Sequence, residues 1–266
     1  MLKPQQSNFK SNKFYVNLNN ILISFRYLFR AEFVFKSTPF FVVCAFKFSE
    51  TYYMNSPLEK GWRHNSIRYA FYFTGLVLFS LGAAITVKVK YLGLHPWDVL
   101  NVALFEQLGL TIGTWSIIVG LVLIGISLLV SRKYVNIGTF LNALLIGPIM
   151  DFFLWLDVLP QASDNWTDYF ILLLGIVIIG IGGGLYVSGG VGAGPRDGFM
   201  LSMSERTGWS VSKARIIVET IVLVIGFILG GPVFWATFII TFILSPIFQF
   251  SLKFFSRIRI RLGGMK

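Results

Sequence analysis

Long apolar segments alternate with short polar or glycine-rich breaks from residue 67 to residue 254. A helix needs about 20 largely apolar residues to cross a bilayer, and most of these segments approach that length. Each must be helical, because backbone groups exposed to lipid have to be hydrogen-bonded within their own segment. The pattern predicts membrane-spanning helices at 69–87, 112–130, 134–156, 169–187, 214–229 and 233–254.

Two further segments, 97–110 and 196–209, are too short to cross a bilayer. Each follows a Pro-x-Asp sequence, and segments of this length are typical of re-entrant or interfacial helices. The segment 214–229 is also short and contains Glu219, so it is the weakest of the predicted spans. The predicted fold is therefore an all-α polytopic membrane protein with about six transmembrane helices and two short re-entrant or interfacial helices.

A short motif, Gly-x-x-Pro-x-Asp, occurs once in each half of the chain. Its residues are Gly93, Pro96 and Asp98 in the first half and Gly192, Pro195 and Asp197 in the second. Matching glycines precede both copies, at Gly75 and Gly82 and at Gly175 and Gly182. Each half contains an odd number of spans, so the second half would enter the membrane inverted relative to the first. We therefore predict an inverted internal repeat.

Four regions follow from this organisation. A basic, Asn- and Phe-rich N-terminal extension covers 1–60, two membrane repeats cover 67–157 and 168–254, and a basic cytoplasmic tail covers 255–266. The extension has three open interpretations: an amphipathic cytoplasmic tail, a poorly ordered extension, or an untranslated stretch preceding a start at Met54. Most cations outside the extension fall on one side of the predicted topology, which places both termini in the cytoplasm.

Composition supports a membrane protein and excludes several other classes. The chain is 55% hydrophobic and 13% charged, whereas soluble domains carry about 25% charged residues. Its net charge of +11 would suggest nucleic-acid binding in a soluble protein, but these cations lie at helix ends and in the tails, so we expect no nucleic-acid partner. One cysteine excludes an intramolecular disulfide, and two histidines are too few for a zinc cluster. We expect neither a metal nor a cofactor.

The two motif loops are the predicted substrate site. Glycine lets a backbone approach a ligand closely, proline starts a helix, and a carboxylate in the first turn interacts favourably with the helix dipole. The predicted binding residues are Gly93, Pro96, Asp98, Gly192, Gly194, Pro195, Arg196, Asp197 and Glu219. The alternative is that Asp98 and Asp197 only cap their helices.

Two of these residues have their own alternatives. Arg196 either pairs with Asp197 or Glu205, binds an anionic substrate, or anchors the chain at the cytoplasmic face. Glu219 is either a functional intramembrane carboxylate or an interfacial partner of Arg215.

Several sequences in this region resemble those of a known group of proteins. They are Leu-His-Pro-Trp-Asp-Val-Leu (94–100), Gly-Ala-Gly-Pro-Arg-Asp-Gly (192–198), Thr-Gly-Trp-Ser-Val (207–211), Gly-Gly-Pro (230–232) and Ser-Pro-Ile-Phe-Gln-Phe (245–250). Over 67–254 the chain resembles the YczE/YyaS/YitT group of bacterial integral membrane proteins, and its YczE-like branch in particular. The resemblance implies a bacterial inner-membrane location, does not cover residues 1–53, and supplies no catalytic residues to carry over.

The favoured hypothesis is a small-solute transporter or exporter-like protein whose partners are the lipid bilayer and one small solute. A non-transporting accessory or regulatory membrane protein is the alternative. An intramembrane enzyme using Asp98 and Asp197 is a third, but the chain lacks the usual hydrolase, phosphate-loop and metalloprotease motifs, so we expect no enzymatic activity. Substrate and oligomeric state do not follow from the sequence.

Overall fold

Eight α-helices make up the part of the chain that the computed structural model describes, residues 62–156, 158–209 and 211–262. They are α1 (Trp62–Lys88), α2 (Pro96–Leu108), α3 (Ile112–Val130), α4 (Ile137–Trp155), α5 (Thr167–Ser188), α6 (Pro195–Thr207), α7 (Val211–Ile228) and α8 (Trp235–Leu262). Short 3₁₀ turns follow α1 and α3, and these ranges contain no β-strand. The predicted extension 1–60, including Met54, lies outside the described residues, as do 263–266 of the predicted tail.

Five helices are long and apolar enough to cross a membrane, namely α1, α3, α4, α5 and α8. This confirms an all-α membrane protein. The remaining predicted span, 214–229, coincides with α7, but α7 carries Lys213, Arg215 and Glu219 and is not one of these five helices. On insertion scales, a charged side chain at the centre of a span costs about 2.5–3.5 kcal/mol of insertion free energy. Composition alone therefore does not identify α7 as a membrane-spanning helix.

The two short segments form helices that begin where the sequence predicts. Pro96 starts α2 and Pro195 starts α6, positions where the missing N–H of proline costs no hydrogen bond. Asp98 and Asp197 lie in the first turns of these helices. Each helix has 13 residues, and at about 1.5 Å per residue this is well short of a hydrocarbon core of about 30 Å.

Helices α1 and α5 are the most enclosed spans, with 56% and 61% of their apolar windows buried inside the protein. They touch through glycines. A Cβ built on Gly75 would lie 2.8 Å from the Gly182 carbonyl oxygen, and one built on Gly182 would lie 2.9 Å from that of Gly75. Gly82 and Gly175 repeat this reciprocal contact at 2.8 and 3.1 Å. Small residues let membrane helices approach closely and gain van der Waals contact.

Each motif loop rests on a helix from the other half of the chain. Gly93, with φ +118°, leaves only 2.8 Å between a built Cβ and the Thr237 backbone nitrogen at the start of α8. Gly192 leaves 2.9 Å to the Thr139 backbone nitrogen at the start of α4. Any side chain at either glycine would displace the helix beneath it, so both glycines are required for this crossing.

Contacts of Lys90 and Gln107, in the segment between α1 and the start of α3, and of Tyr91 join several helix ends. Lys90, after α1, forms an ion pair with Glu106 near the end of α2, and Gln107 Nε2 donates to the Leu229 carbonyl 3.1 Å away. The Tyr91 hydroxyl donates to the Asp168 carboxylate at the start of α5, which raises the pKa of Tyr91 to about 12.

A separate set of contacts lies at the other end of α3. Ser131 Oγ donates to Glu205 Oε2 over 2.9 Å, and Lys133 Nζ lies 3.6 Å from Glu205 Oε1. The turn after α3 and the last turns of α6 therefore share this end of the bundle.

Replacing Gly75 with alanine should separate α1 from α5, because the new Cβ would lie 2.3 Å from the Tyr186 backbone nitrogen. We expect the free energy of unfolding to fall by about 1–3 kcal/mol, measured by circular dichroism in detergent micelles. The control is Gly125→Ala in α3, where the built Cβ meets no atom within 4 Å of it. Equal effects of the two substitutions would contradict the glycine contact.

Candidate functional site

The two motif loops meet at one cavity with a volume of about 100 Å³. The N-terminal turns of α2 and α6 form part of its wall, together with residues of α1, α3, α4, α5, α7 and α8. Six ionisable side chains line it, namely His95, Asp98, Arg196, Asp197, Arg215 and Glu219. Ionisable residues at such a position within a helical membrane protein are the strongest indication of function in the described part of the chain.

Six of the nine predicted binding residues line this cavity: Asp98, Gly194, Pro195, Arg196, Asp197 and Glu219. Gly93, Pro96 and Gly192 do not line it. Gly93 and Gly192 instead form the close crossings with α8 and α4, and Pro96 is buried at the start of α2. These three residues therefore help to position the loops and do not themselves line the cavity.

Arg196 joins the two loops. Its Nη2 lies 3.4 Å from Asp98 Oδ1, and its guanidinium carbon lies 5.4 Å from the ring centroid of Trp97. Of the alternatives that the sequence left open for Arg196, pairing with Asp197 or Glu205 is wrong, because its carboxylate partner is Asp98. Consecutive residues on a helix point in different directions, so Arg196 reaches across to α2 rather than to Asp197.

Arg215 holds the second group of charges together. Its Nη2 lies 3.2 Å from Asp197 Oδ1, and its Nε lies 3.3 Å from Glu219 Oε1 one turn further along α7. The same Glu219 oxygen lies 3.8 Å from His95 Nε2 in the first loop. Glu219 is 6% exposed, so the predicted pairing with Arg215 occurs within the protein.

Two polar side chains of the cavity come from apolar helices. Tyr186 Oη donates to Asp197 Oδ2 over 3.4 Å. Asn142 is 3% exposed, and its Nδ2 has no hydrogen-bond partner among the described residues. A Cβ on Gly194 would lie 3.1 Å from Tyr186 Oη and 3.2 Å from Asn142 Oδ1, so this glycine leaves space between them.

Sequence reasoning identified the carboxylates and Arg196 but not the contributions of the other residues. Arg215 and Glu219 are four residues apart, a spacing that predicts an ion pair on one face of a helix. His95 stood within the first motif loop, but a single histidine has many ordinary roles. Tyr186 and Asn142 carried no specific signal, since polar residues on membrane helices commonly bond to a neighbouring helix.

The cavity is lined by both charged and neutral polar side chains. Within the described ranges, no three His, Cys, Asp or Glu side chains are grouped so that they could hold a metal ion. The cavity instead combines three carboxylates, two guanidiniums and an imidazole with a phenol and an amide. Such groups orient a solute through charge and hydrogen bonds in a low-dielectric setting.

Residues 66–253 match the model of a family of unknown function (DUF6198). The chain belongs to this family. The DUF6198 match contains every residue that lines the cavity.

Relatives of the chain include two proteins of Bacillus subtilis. The "Uncharacterized membrane protein YczE" is 40% identical over 186 residues, which cover 70% of this chain and 86% of YczE. The "Uncharacterized protein YyaS" is 26% identical over 170 residues, covering 63% of this chain and 83% of YyaS. An "Uncharacterized protein" of Haemophilus influenzae is 28% identical over 183 residues, covering 69% and 82%. No solved structure matches the chain. The predicted resemblance to YczE and YyaS is thus confirmed.

The Asp98–Arg196 pair should be energetically coupled. Asp98→Asn and Arg196→Gln each leave the other side chain of the pair without its partner, whereas the double variant removes both charges. We expect a double-mutant cycle on the free energy of unfolding to give a coupling of about 0.5–3 kcal/mol. Denaturation in detergent micelles followed by tryptophan fluorescence measures it, and strictly additive effects would contradict the contact.

Proposed function

We propose that the protein is a small-solute transporter of the bacterial inner membrane, with its solute bound in the cavity between the two motif loops. One observation carries this proposal. Loops from separate halves of the sequence bring ionisable side chains into a single cavity among helices that are long and apolar enough to cross a membrane. Secondary transporters commonly bind solutes where discontinuous helices from two repeats meet near the midplane. The proposal assigns no catalytic activity to the site.

Reciprocal contacts support the inverted repeat within this proposal. Gly75 corresponds to Gly175 in the repeat, and Gly82 corresponds to Gly182. The Gly75–Gly182 contact therefore has its counterpart in the Gly82–Gly175 contact. The Gly93 crossing with Thr237 of α8 and the Gly192 crossing with Thr139 of α4 are related in the same way. Contacts paired in this way are expected of two halves related by a pseudo-two-fold axis in the membrane plane.

The cavity also supports α7 as the sixth span. Arg215 and Glu219 line the cavity and are paired there, so they do not have to face lipid. Ionisable residues are accepted in membrane helices under this condition. With α7 crossing, both halves have three spans and one short helix.

The helix-end contacts agree with the proposed topology, in which both termini are cytoplasmic. Lys90 lies on the side proposed to be extracytoplasmic, against the general charge bias, and there it pairs with Glu106. Asp168 meets Tyr91 on the same side. Lys133 lies on the proposed cytoplasmic side beside Glu205. The positive-inside rule then accounts for most of the remaining cations outside the extension.

Two contacts link the halves across the cavity and suggest how the solute would gain access. Arg196 in the second half contacts Asp98 in the first, and His95 in the first half lies near Glu219 in the second. In alternating access, one repeat rocks against the other around a fixed site. We propose that these cross-half contacts re-form as the cavity opens to one side and then to the other.

The decisive comparison uses a strain that lacks the gene and carries the wild type, Asp98→Asn/Asp197→Asn, or Asp164→Asn. Asp164 is an exposed aspartate in the loop before α5 and does not line the cavity, so it is the matched control. Untargeted metabolite profiling and uptake assays should identify a solute whose flux the wild type restores. The double variant should lower that flux by about a hundredfold, because it leaves both guanidiniums of the cavity without these carboxylates.

Membrane abundance of every variant is measured in parallel. Full flux in the double variant would show that the paired-loop site is wrong. If wild type and deletion strain differ in no solute although a growth phenotype separates them, transport is wrong and an accessory role through a partner takes its place.

A further inference from the structure

The Arg196–Asp98 pair has the longest contact of the arginine–carboxylate pairs in the cavity. It rests on one 3.4 Å contact, whereas charge-assisted hydrogen bonds usually measure about 2.7–2.9 Å. Arg215, by contrast, contacts two carboxylates, at 3.2 and 3.3 Å. Among the described residues, Arg196 is the one cation paired with the Asp98 carboxylate. A bound solute would therefore disturb this pair at the lowest cost.

We propose that the cavity takes a zwitterionic solute, with a carboxylate that binds Arg196 and an ammonium group that binds Asp98, an inference that rests on the transport function proposed above. The solute inserts into the Arg196–Asp98 pair and replaces one contact with two. Arg196 keeps a carboxylate partner and Asp98 keeps a cationic one. No buried charge loses its counter-charge during the exchange.

The charge balance of the cavity selects against other solutes. A simple carboxylic acid would take Arg196 and leave Asp98 unpaired, and a simple amine would do the reverse. The side chains of Asp98 and Arg196 are only 12% and 23% exposed, so leaving either of them without a partner is unfavourable. A solute with both charges avoids this penalty, so specificity follows from the groups that the wrong solute leaves unsatisfied.

An unused hydrogen-bond donor supplies independent support. Asn142 lines the cavity and is 3% exposed, and its Nδ2 has no hydrogen-bond partner within the described ranges. A buried donor without an acceptor is costly, and such groups are usually satisfied by a ligand or an ordered water. A carboxylate accepts several hydrogen bonds, so it can take Asn142 Nδ2 as well as Arg196. Gly194 leaves the adjoining space open.

Binding is measured on the purified full-length protein in lipid nanodiscs, as the rise in unfolding temperature with added solute. The probes are the common amino acids and glycine betaine, each compared with the matching acid that lacks the amino group and the matching amine that lacks the carboxylate. At least one zwitterion should stabilise the protein, and its two single-charge analogues should bind about a hundredfold more weakly. Stabilisation by no zwitterion, or equal stabilisation by an analogue, overturns the proposal.

Substitutions then test which charge meets which group. Arg196→Gln should shift the preference towards the amine, because Asp98 is left to bind it. Asp98→Asn should shift it towards the acid, and Asn142→Ala should weaken zwitterion binding by about tenfold. Asp164→Asn should leave all affinities unchanged. If Arg196→Gln and Asp98→Asn lower stability without changing the order of preference, the pair is structural and the proposal is wrong.

Flux in proteoliposomes separates this proposal from the transport function. Zwitterion binding without zwitterion flux would support the proposed binding site and contradict the transport function. Flux of a solute that carries a single charge, with no zwitterion bound, would support the transport function and contradict the proposal of a zwitterionic solute.

Discussion

Ionisable side chains can remain among membrane helices only when they are paired, and this constraint organises the centre of the protein. Each of the six ionisable groups that line the cavity lies within 4 Å of an oppositely charged or ionisable partner on another residue. Arg196 pairs with Asp98, Arg215 pairs with Asp197 and Glu219, and His95 lies near Glu219. The Arg196–Asp98 and His95–Glu219 contacts cross from one half of the chain to the other, whereas both Arg215 pairs lie within the second half. Asp98 and Arg196 therefore depend on each other across the two halves.

The glycine contacts make this pairing geometrically accessible. Gly75 and Gly82 let α1 lie directly against α5 and antiparallel to it, so the loops that follow these two helices lie at opposite ends of the pair. The first turns of α2 and α6 reach the cavity from those two loops. Gly93 and Gly192 then let each loop rest on the backbone of α8 or α4. Larger side chains at these positions would separate the helices, and the charges of the cavity would lose their partners. The pairing of the charges in this protein therefore depends on the close packing of its helices.

The sequence predicted best what local rules decide. The bounds of α3 followed from the length of its apolar run, and Pro96 and Pro195 marked the starts of α2 and α6. The partner of Arg196 was predicted wrongly, because that choice depends on how the two loops cross and not on residues nearby in the chain. The cost of the charges in α7 likewise depends on whether Arg215 and Glu219 face lipid or a cavity. Asn142 looked like one of several polar residues on apolar helices until the cavity placed it beside Gly194.

The first turns of α2 and α6 meet inside one chain through Asp98 and Arg196, and a cross-link measures this contact most directly. With Cys44 replaced by serine, Asp98→Cys and Arg196→Cys introduce two thiols and remove both members of the pair together. A short bifunctional thiol reagent, applied to membranes and analysed by mass spectrometry, should join residues 98 and 196 within one chain, whereas Asp164→Cys with Arg196→Cys should not be joined. Equal reaction of both pairs, or no link between residues 98 and 196 when each thiol is reactive, would contradict the contact between α2 and α6.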